Sequence, residues 1–219
     1  MFSICYASTN KSKLEETVRI CGRLSVDWRL YARPDGISVP DETGRSFLSN
    51  AYLKAAHTYT AVVSSVRGTK GNYHAACDGV LAEDSGLCID ALDGAPGIYS
   101  ARFGGIPSGR SQCAYLLDRL QDEGIAHARA FYISASILIL RSDDETCPQV
   151  YCGVGTTHGR IMSSLRGQGG FGYDPIFYSE DLGRGMAEAD SEQKSTISHR
   201  YRGLVALCRN IESGRYLQA

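Results

Sequence analysis

Apolar and polar positions change period several times along the chain, and each change marks an element. Phe2 to Ala7 is an apolar run of strand length, and Asn10 to Ser25 then carries Leu14, Val18, Cys21 and Leu24 at helical spacing. The chain therefore opens as strand, polar turn and helix. Asp27 to Tyr31 predicts a second strand, and Pro34-Asp35-Gly36 predicts a turn into Ile37-Ser38-Val39. From Thr43 or Gly44 a helix sets Phe47, Ala51, Ala55, Tyr59 and Val62 on one face, leaving Asn50 and Lys54 on another. Residues 64–78, rich in Ser, Gly, Lys and Asn, read as a surface loop.

Val80-Leu81-Ala82 and Leu87-Cys88-Ile89 read as two short β-segments, with a sharp change of direction at Ser85-Gly86 that leaves Glu83 and Asp84 at a strand end. Ser108 to Asp122 is a predicted helix with the stripe Cys113, Leu116, Leu117 and Leu120, and Gly124 ends it. Ala128 to Arg141 and Gln149 to Ile161 form a bent hairpin across an Asp-Asp-Glu turn. A Gly-rich loop, 167–175, precedes the strand Ile176-Phe177-Tyr178, and a last helix runs from about Ser198 to Gly214. Helices mixed with strands and no internal repeat indicate an α/β fold with a mixed sheet.

The size and charge of the chain narrow its chemistry. At 219 residues with 43% hydrophobic content it can bury a substantial core, most naturally as one domain over 1–219. With 23 basic and 24 acidic residues the net charge is -1 and no basic block stands out, which argues against polymeric nucleic acid as a partner. No apolar run reaches the roughly 18 residues of a membrane span, and the start lacks a positively charged leader region and runs straight into a polar helix, so a soluble cytoplasmic protein is expected. Eight cysteines scattered along such a chain read as reduced thiols, with Cys5, Cys88, Cys113 and Cys208 in the core and no zinc site at Cys147 and Cys152.

Four polar clusters carry candidate chemistry. Ser8-Thr9-Asn10 with Lys13 stands at a strand-to-helix junction, where helix N-H groups, hydroxyls and an ammonium suit an anion; an ordinary helix cap has the same composition. Glu42, Asn50 and Lys54 could offer a carboxylate to a cation and an ammonium to a phosphate, or form a solvated face. Glu83 and Asp84 can bind a hard cation or shape a polar turn. The fourth cluster joins Phe171-Gly172-Tyr173-Asp174 to Lys194, Ser198, His199 and Arg200: a ring for stacking on a base, an acceptor for its edge and cations near a helix start.

Read together, these stretches resemble the inosine triphosphate pyrophosphatase family. The likeness rests on Ala7-Ser8-Thr9-Asn10 with Lys13 and Glu16, on Glu42-Thr43-Gly44 through Asn50-Ala51 and Lys54-Ala55, and on Ala82-Glu83-Asp84-Ser85-Gly86-Leu87. It continues in Gly94-Ala95-Pro96-Gly97-Ile98-Tyr99-Ser100-Ala101-Arg102, in Gly170-Phe171-Gly172-Tyr173-Asp174-Pro175, and in Lys194-Ser195 to Ile197-Ser198-His199-Arg200. Glu83, Ser49 and Ser8-Thr9 depart from the family pattern of Asp, Glu and Thr-Gly.

The resemblance implies an elongated mixed β-sheet flanked by helices, in two lobes with the active-site cleft between them. It implies Mg2+-dependent (or Mn2+-dependent) cleavage of ITP, dITP and XTP to monophosphate and pyrophosphate by a homodimer. Glu42, Asp84 and Glu83 would hold the metal, and Asp84, with Glu83 as alternative, would activate water. Ser8, Thr9, Asn10, Lys13, Lys54 and Ser85, together with Phe171, Gly172, Tyr173, Asp174, Lys194, His199 and Arg200, would bind the purine nucleoside triphosphate. A Maf-like nucleotide pyrophosphatase and a nucleotide sensor without turnover are the competing readings.

Overall fold

The computed structural model describes residues 1–68, 77–142 and 147–217. Among the described residues, seven strands form one mixed sheet in the order β2-β1-β3-β4-β5-β6-β7. These are β1 (Phe2–Tyr6), β2 (Trp28–Ala32), β3 (Gly79–Ile89), β4 (Arg129–Leu140), β5 (Gln149–Ile161), β6 (Phe177–Ser179) and β7 (Arg184–Gly185). β1 pairs in parallel with β2 and β3, whereas β5–β6 and β6–β7 are antiparallel. The helices are α1 (Lys11–Arg23), α2 (Phe47–Gly68), α3 (Arg110–Asp122), α4 (Ser191–Ile197) and α5 (His199–Glu212). No helix among the described residues is long and apolar enough to cross a membrane.

The chain divides into two compact units. One comprises Met1–Asp84, Ala135–Val154 and Gly203–Ala219; the other comprises Ser85–Ser134 and Gly155–Arg202. In the first, the small buried residues Ala51 and Ala55 let α2 pack on Cys5, Val80 and Ile137. In the second, Cys113, Leu116 and Leu120 of α3 pack with Leu87, Ile89, Tyr132 and Phe177. Each stripe is the one its helical spacing predicts.

Several boundaries differ from the sequence reading. β3 does not turn at Ser85-Gly86: it runs unbroken for 11 residues, and ten of these are buried. A strand covered on both faces reads as a long apolar run, and two polar residues inside it imitate a turn. α2 extends to Gly68, so residues 64–68 of the expected loop are helical, while 69–76 lie outside the described residues. The expected hairpin turn at 143–146 also lies outside them. Ser198 has extended backbone angles that end α4, and its hydroxyl accepts from the Tyr201 N-H at 3.2 Å, so two helices meet where one was expected to begin. Cys208 is half-buried rather than a core residue.

Candidate active site

β3 presents Glu83 and Asp84 in succession, and strand alternation sends their side chains to opposite faces. Both are buried, and each meets a different cation. Asp84 Oδ1 lies 2.8 Å from Lys54 Nζ, whose other carboxylate is Glu42 Oε1 at 3.1 Å. Asn50, one helical turn before Lys54 on α2, donates from Nδ2 to Asp84 Oδ2 at 3.4 Å and accepts the Gly44 N-H at 2.8 Å. A Cβ at Gly44 would stand 2.5 Å from Asn50 Oδ1, so only glycine lets the segment carrying Glu42 approach this closely. The second face of α2 is therefore a buried polar face that serves Asp84, not a solvated one. Burial pulls the Lys54 ammonium pKa down, but Asp84 and then Glu42 outweigh it and hold it above the ordinary lysine value.

Glu83 turns the other way. Its Oε1 lies 3.5 Å from Lys13 Nζ, and its Oε2 accepts from the Tyr6 hydroxyl at 3.4 Å. Lys13 is in the first turn of α1, where Asn10 is the cap: Asn10 Oδ1 accepts the Lys13 N-H at 3.2 Å, and Ser8 Oγ accepts the Asn10 N-H at 3.1 Å. Thr9 and Asn10 are exposed, and Ser8 is half-buried. The capping reading and the anion-site reading thus describe the same backbone, with a lysine attached.

Among the described residues, no group of three or more His, Cys, Asp and Glu stands close enough to hold a metal ion. Glu42, Glu83 and Asp84 accordingly do not converge as a triad. Glu42 and Asp84 do converge, on the point held by the Lys54 ammonium. Two hard oxygen donors facing one cationic position suit Mg2+, which takes one or two carboxylates and completes its shell with water and substrate phosphate.

The other unit gathers the second set. Asp174 Oδ2 is ion-paired with Lys194 and accepts the Phe171 N-H at 2.8 Å. Gly170, at φ 73°, has no room for a side chain, since a Cβ would lie 2.1 Å from Asp174 Oδ2. Lys194 Nζ sits 4.3 Å and Arg200 Cζ 5.6 Å from the Phe171 ring centroid. Arg200, fully buried, reaches Ser85 Oγ at 3.5 Å, so Ser85 belongs with this cationic group although it follows Asp84 in sequence. One half-buried ring, one carboxylate and two cations thus stand together. Gly172 contributes its carbonyl to the Cys113 thiol at 3.3 Å, and Tyr173 is a core residue whose hydroxyl donates to the Ser100 carbonyl at 3.1 Å.

Two supporting residues escaped the sequence reading. Gln112, fully buried on α3, donates to the carbonyls of Ser100 and, more distantly, Phe103 and Ile106, fixing the 97–106 segment. Tyr132 of β4 stacks on His199 with ring centroids 4.7 Å apart and planes 12° apart. A polar-tipped residue at an inward strand position was the available signal for Tyr132.

Residues 4–210 match the model of the Ham1 family. The chain belongs to the Ham1 family. Among the relatives of this Ham1 chain is a dITP/XTP pyrophosphatase of Deinococcus deserti, 38% identical over 204 residues, which are 93% of this chain and 86% of that protein. Another is a dITP/XTP pyrophosphatase of Treponema denticola, 36% identical over 212 residues, or 95% of this chain and 98% of that one. A solved HAM1 protein from Coxiella burnetii is 29% identical, covers 97% of this chain and 100% of its own, and superposes with a TM-score of 0.77. The six sequence blocks therefore sit within a likeness that spans nearly the full Ham1 chain.

Proposed function

We propose that the protein hydrolyses deaminated purine nucleoside triphosphates, dITP, XTP and ITP, to the monophosphate and pyrophosphate. The observation that carries this reading is the Phe171–Asp174–Lys194–Arg200 group, a stacking ring with an anionic acceptor and two cationic donors. Hypoxanthine and xanthine present an N1-H donor beside an O6 acceptor, which pairs with Asp174 and with Lys194 or Arg200. Adenine presents the reverse pattern and would leave buried groups unpaired, at about 1 to 3 kcal/mol each. The names of the relatives, dITP/XTP pyrophosphatase, support the same substrates.

In the other unit, the ammonium groups of Lys13 and Lys54 offer charge to phosphate oxygens. Asp84 would orient the attacking water and take its proton; in support of that role, Lys54 and Asn50 hold one oxygen each and each oxygen keeps a lone pair. Glu42 and Asp84 would hold Mg2+, which when bound would offset the negative charge that develops on the leaving pyrophosphate. Glu83, engaged by Lys13 and Tyr6, stays outside that pair. A cytoplasmic homodimer is part of the same proposal, and sedimentation of the purified chain measures the dimer.

Pyrophosphate release is to be followed with dITP, XTP, ITP, ATP and GTP in the presence of Mg2+. The expected outcome is turnover of the first three, with kcat/KM for ATP lower by at least about tenfold, the factor one unpaired buried group imposes. Equal turnover of ATP and ITP would remove the base-reading role from Asp174 and Lys194. Tight binding of dITP without pyrophosphate release would make the protein a sensor.

A further inference from the structure

Tyr132 lies outside every sequence block that carries the family likeness, yet it stacks on His199, the neighbour of Arg200, and borders Asp174 of the base-reading group. It is the fourth residue of β4, where Ala130 and Tyr132 point inward and Phe131 is only half-buried. Its ring is nearly parallel to the His199 imidazole at 4.7 Å and meets Phe177 at 4.7 Å with a 53° tilt. Its phenol is buried against the Asp174 carboxylate, close enough for that carboxylate to draw on its proton, although the geometry is short of an ordinary hydrogen bond. Burial first, and then that carboxylate, push its pKa well above the usual tyrosine value, so the group beside Asp174 is a neutral phenol.

His199 opens α5 and is followed directly by Arg200, which reaches Ser85 and the Phe171 ring. The His199 imidazole is itself buried, and the parallel Tyr132 ring sets the plane it takes within that enclosure. The partner here is anchored in the core cluster of its unit and cannot follow the imidazole if it moves.

We infer that Tyr132 is a positioning residue for purine binding, whose ring, rather than its hydroxyl, holds the His199 imidazole where a bound nucleotide meets it. This rests on the proposed pyrophosphatase reading. The ring is singled out because it makes a well-formed stack on His199, whereas the contact of the hydroxyl with Asp174 falls short of an ordinary hydrogen bond. Asp174 keeps Lys194 and the Phe171 N-H when the hydroxyl is removed, so phenylalanine should replace tyrosine at little cost.

Three variants of the full chain test this, each compared with wild type for dITP hydrolysis and thermal unfolding. Tyr132→Leu should raise KM about tenfold while kcat stays within about threefold, since the stack orders the bound base rather than the reacting phosphate. Tyr132→Phe should restore both constants to within about twofold and keep or raise Tm. Leu116→Val, a loss of volume in the same core cluster, should lower Tm without moving KM. Should Tyr132→Leu fail to fold, Tyr132→Met gives the same reading with a flexible side chain. In a His199→Ala background, Tyr132→Leu should raise KM no further.

The inference is overturned if the leucine or methionine variant keeps the wild-type KM, if phenylalanine fails to rescue, if Leu116→Val raises KM equally, or if the two effects add in the His199→Ala background. A wild-type protein that releases no pyrophosphate from any deaminated nucleotide would instead remove the proposed function. The two failures are separate readings of the experiment.

Discussion

At the scale of single residues, the two neighbouring carboxylates of β3 have different chemistry because they have different partners. Asp84 is held through both oxygens by Lys54 and Asn50, while Glu83 is tied to Lys13 and Tyr6. Asp84→Asn removes the proton acceptor and should lower kcat by about 10² to 10⁴, the usual worth of a positioned base. The fold should persist, because Lys54 keeps Glu42 as its partner, and the loss of the Asp84 charge should appear as a lower Tm with an unchanged circular dichroism spectrum. Activity near wild type would transfer the base role to Glu83. The two acidic letters were legible in the sequence, and so was the chance that one would point away. That Lys54 would stand between Glu42 and Asp84 was not, since nothing in helical spacing tells whether a lysine faces water or a buried carboxylate.

At the scale of elements, α4 is the short piece on which the base-reading group depends. Its seven residues carry Lys194, and its start is closed by Asp190, whose carboxylate accepts the Gln193 N-H at 2.7 Å while Gln193 returns a bond to the Asp190 N-H. A helix this short has little stability of its own and relies on that cap and on the bond from Thr157 to the Ile197 carbonyl, 2.8 Å. Asp190→Ala should cost about 1 kcal/mol and lower Tm by roughly 2 to 4 °C. It should also raise KM for dITP, because Lys194 moves with the first turns of α4; an unchanged KM would show Lys194 to be placed by Asp174 alone. The sequence reading passed over α4 because seven residues hold too little periodicity to register, although Asp190 followed by Gln193 is a start signal. It found α1, α2, α3 and α5, whose apolar stripes repeat over several turns. Tyr132 was missed for the opposite reason: on an inward strand position it looks like any other core aromatic.

At the scale of the whole molecule, the eight cysteines report how the chain is packed. All eight are thiols: five are buried, Cys152 and Cys208 are half-buried, and Cys147 is exposed. Burial, reinforced by neighbouring Cys77 and Cys208 respectively, pushes the Cys5 and Cys21 thiols up to about 12, so both are protonated at pH 8 as well as shielded. Alkylation of the native protein at pH 8 should therefore modify Cys147 first, and the five buried sites only after denaturant is added. Rapid modification of Cys5 or Cys21 would mean that the first unit opens far more readily than its packing implies.

The alternation along β3 makes the site sensitive to chain length as well as to residue type. Parity decides which lysine each carboxylate meets, so one neutral residue inserted after Leu81 would turn Glu83 to the Lys54 side and Asp84 to the Lys13 side without changing the net charge. A variant of this strand made longer by one residue would therefore carry both of its carboxylates on the wrong faces, while Glu42 and Asp174, which lie on other segments, would keep their places.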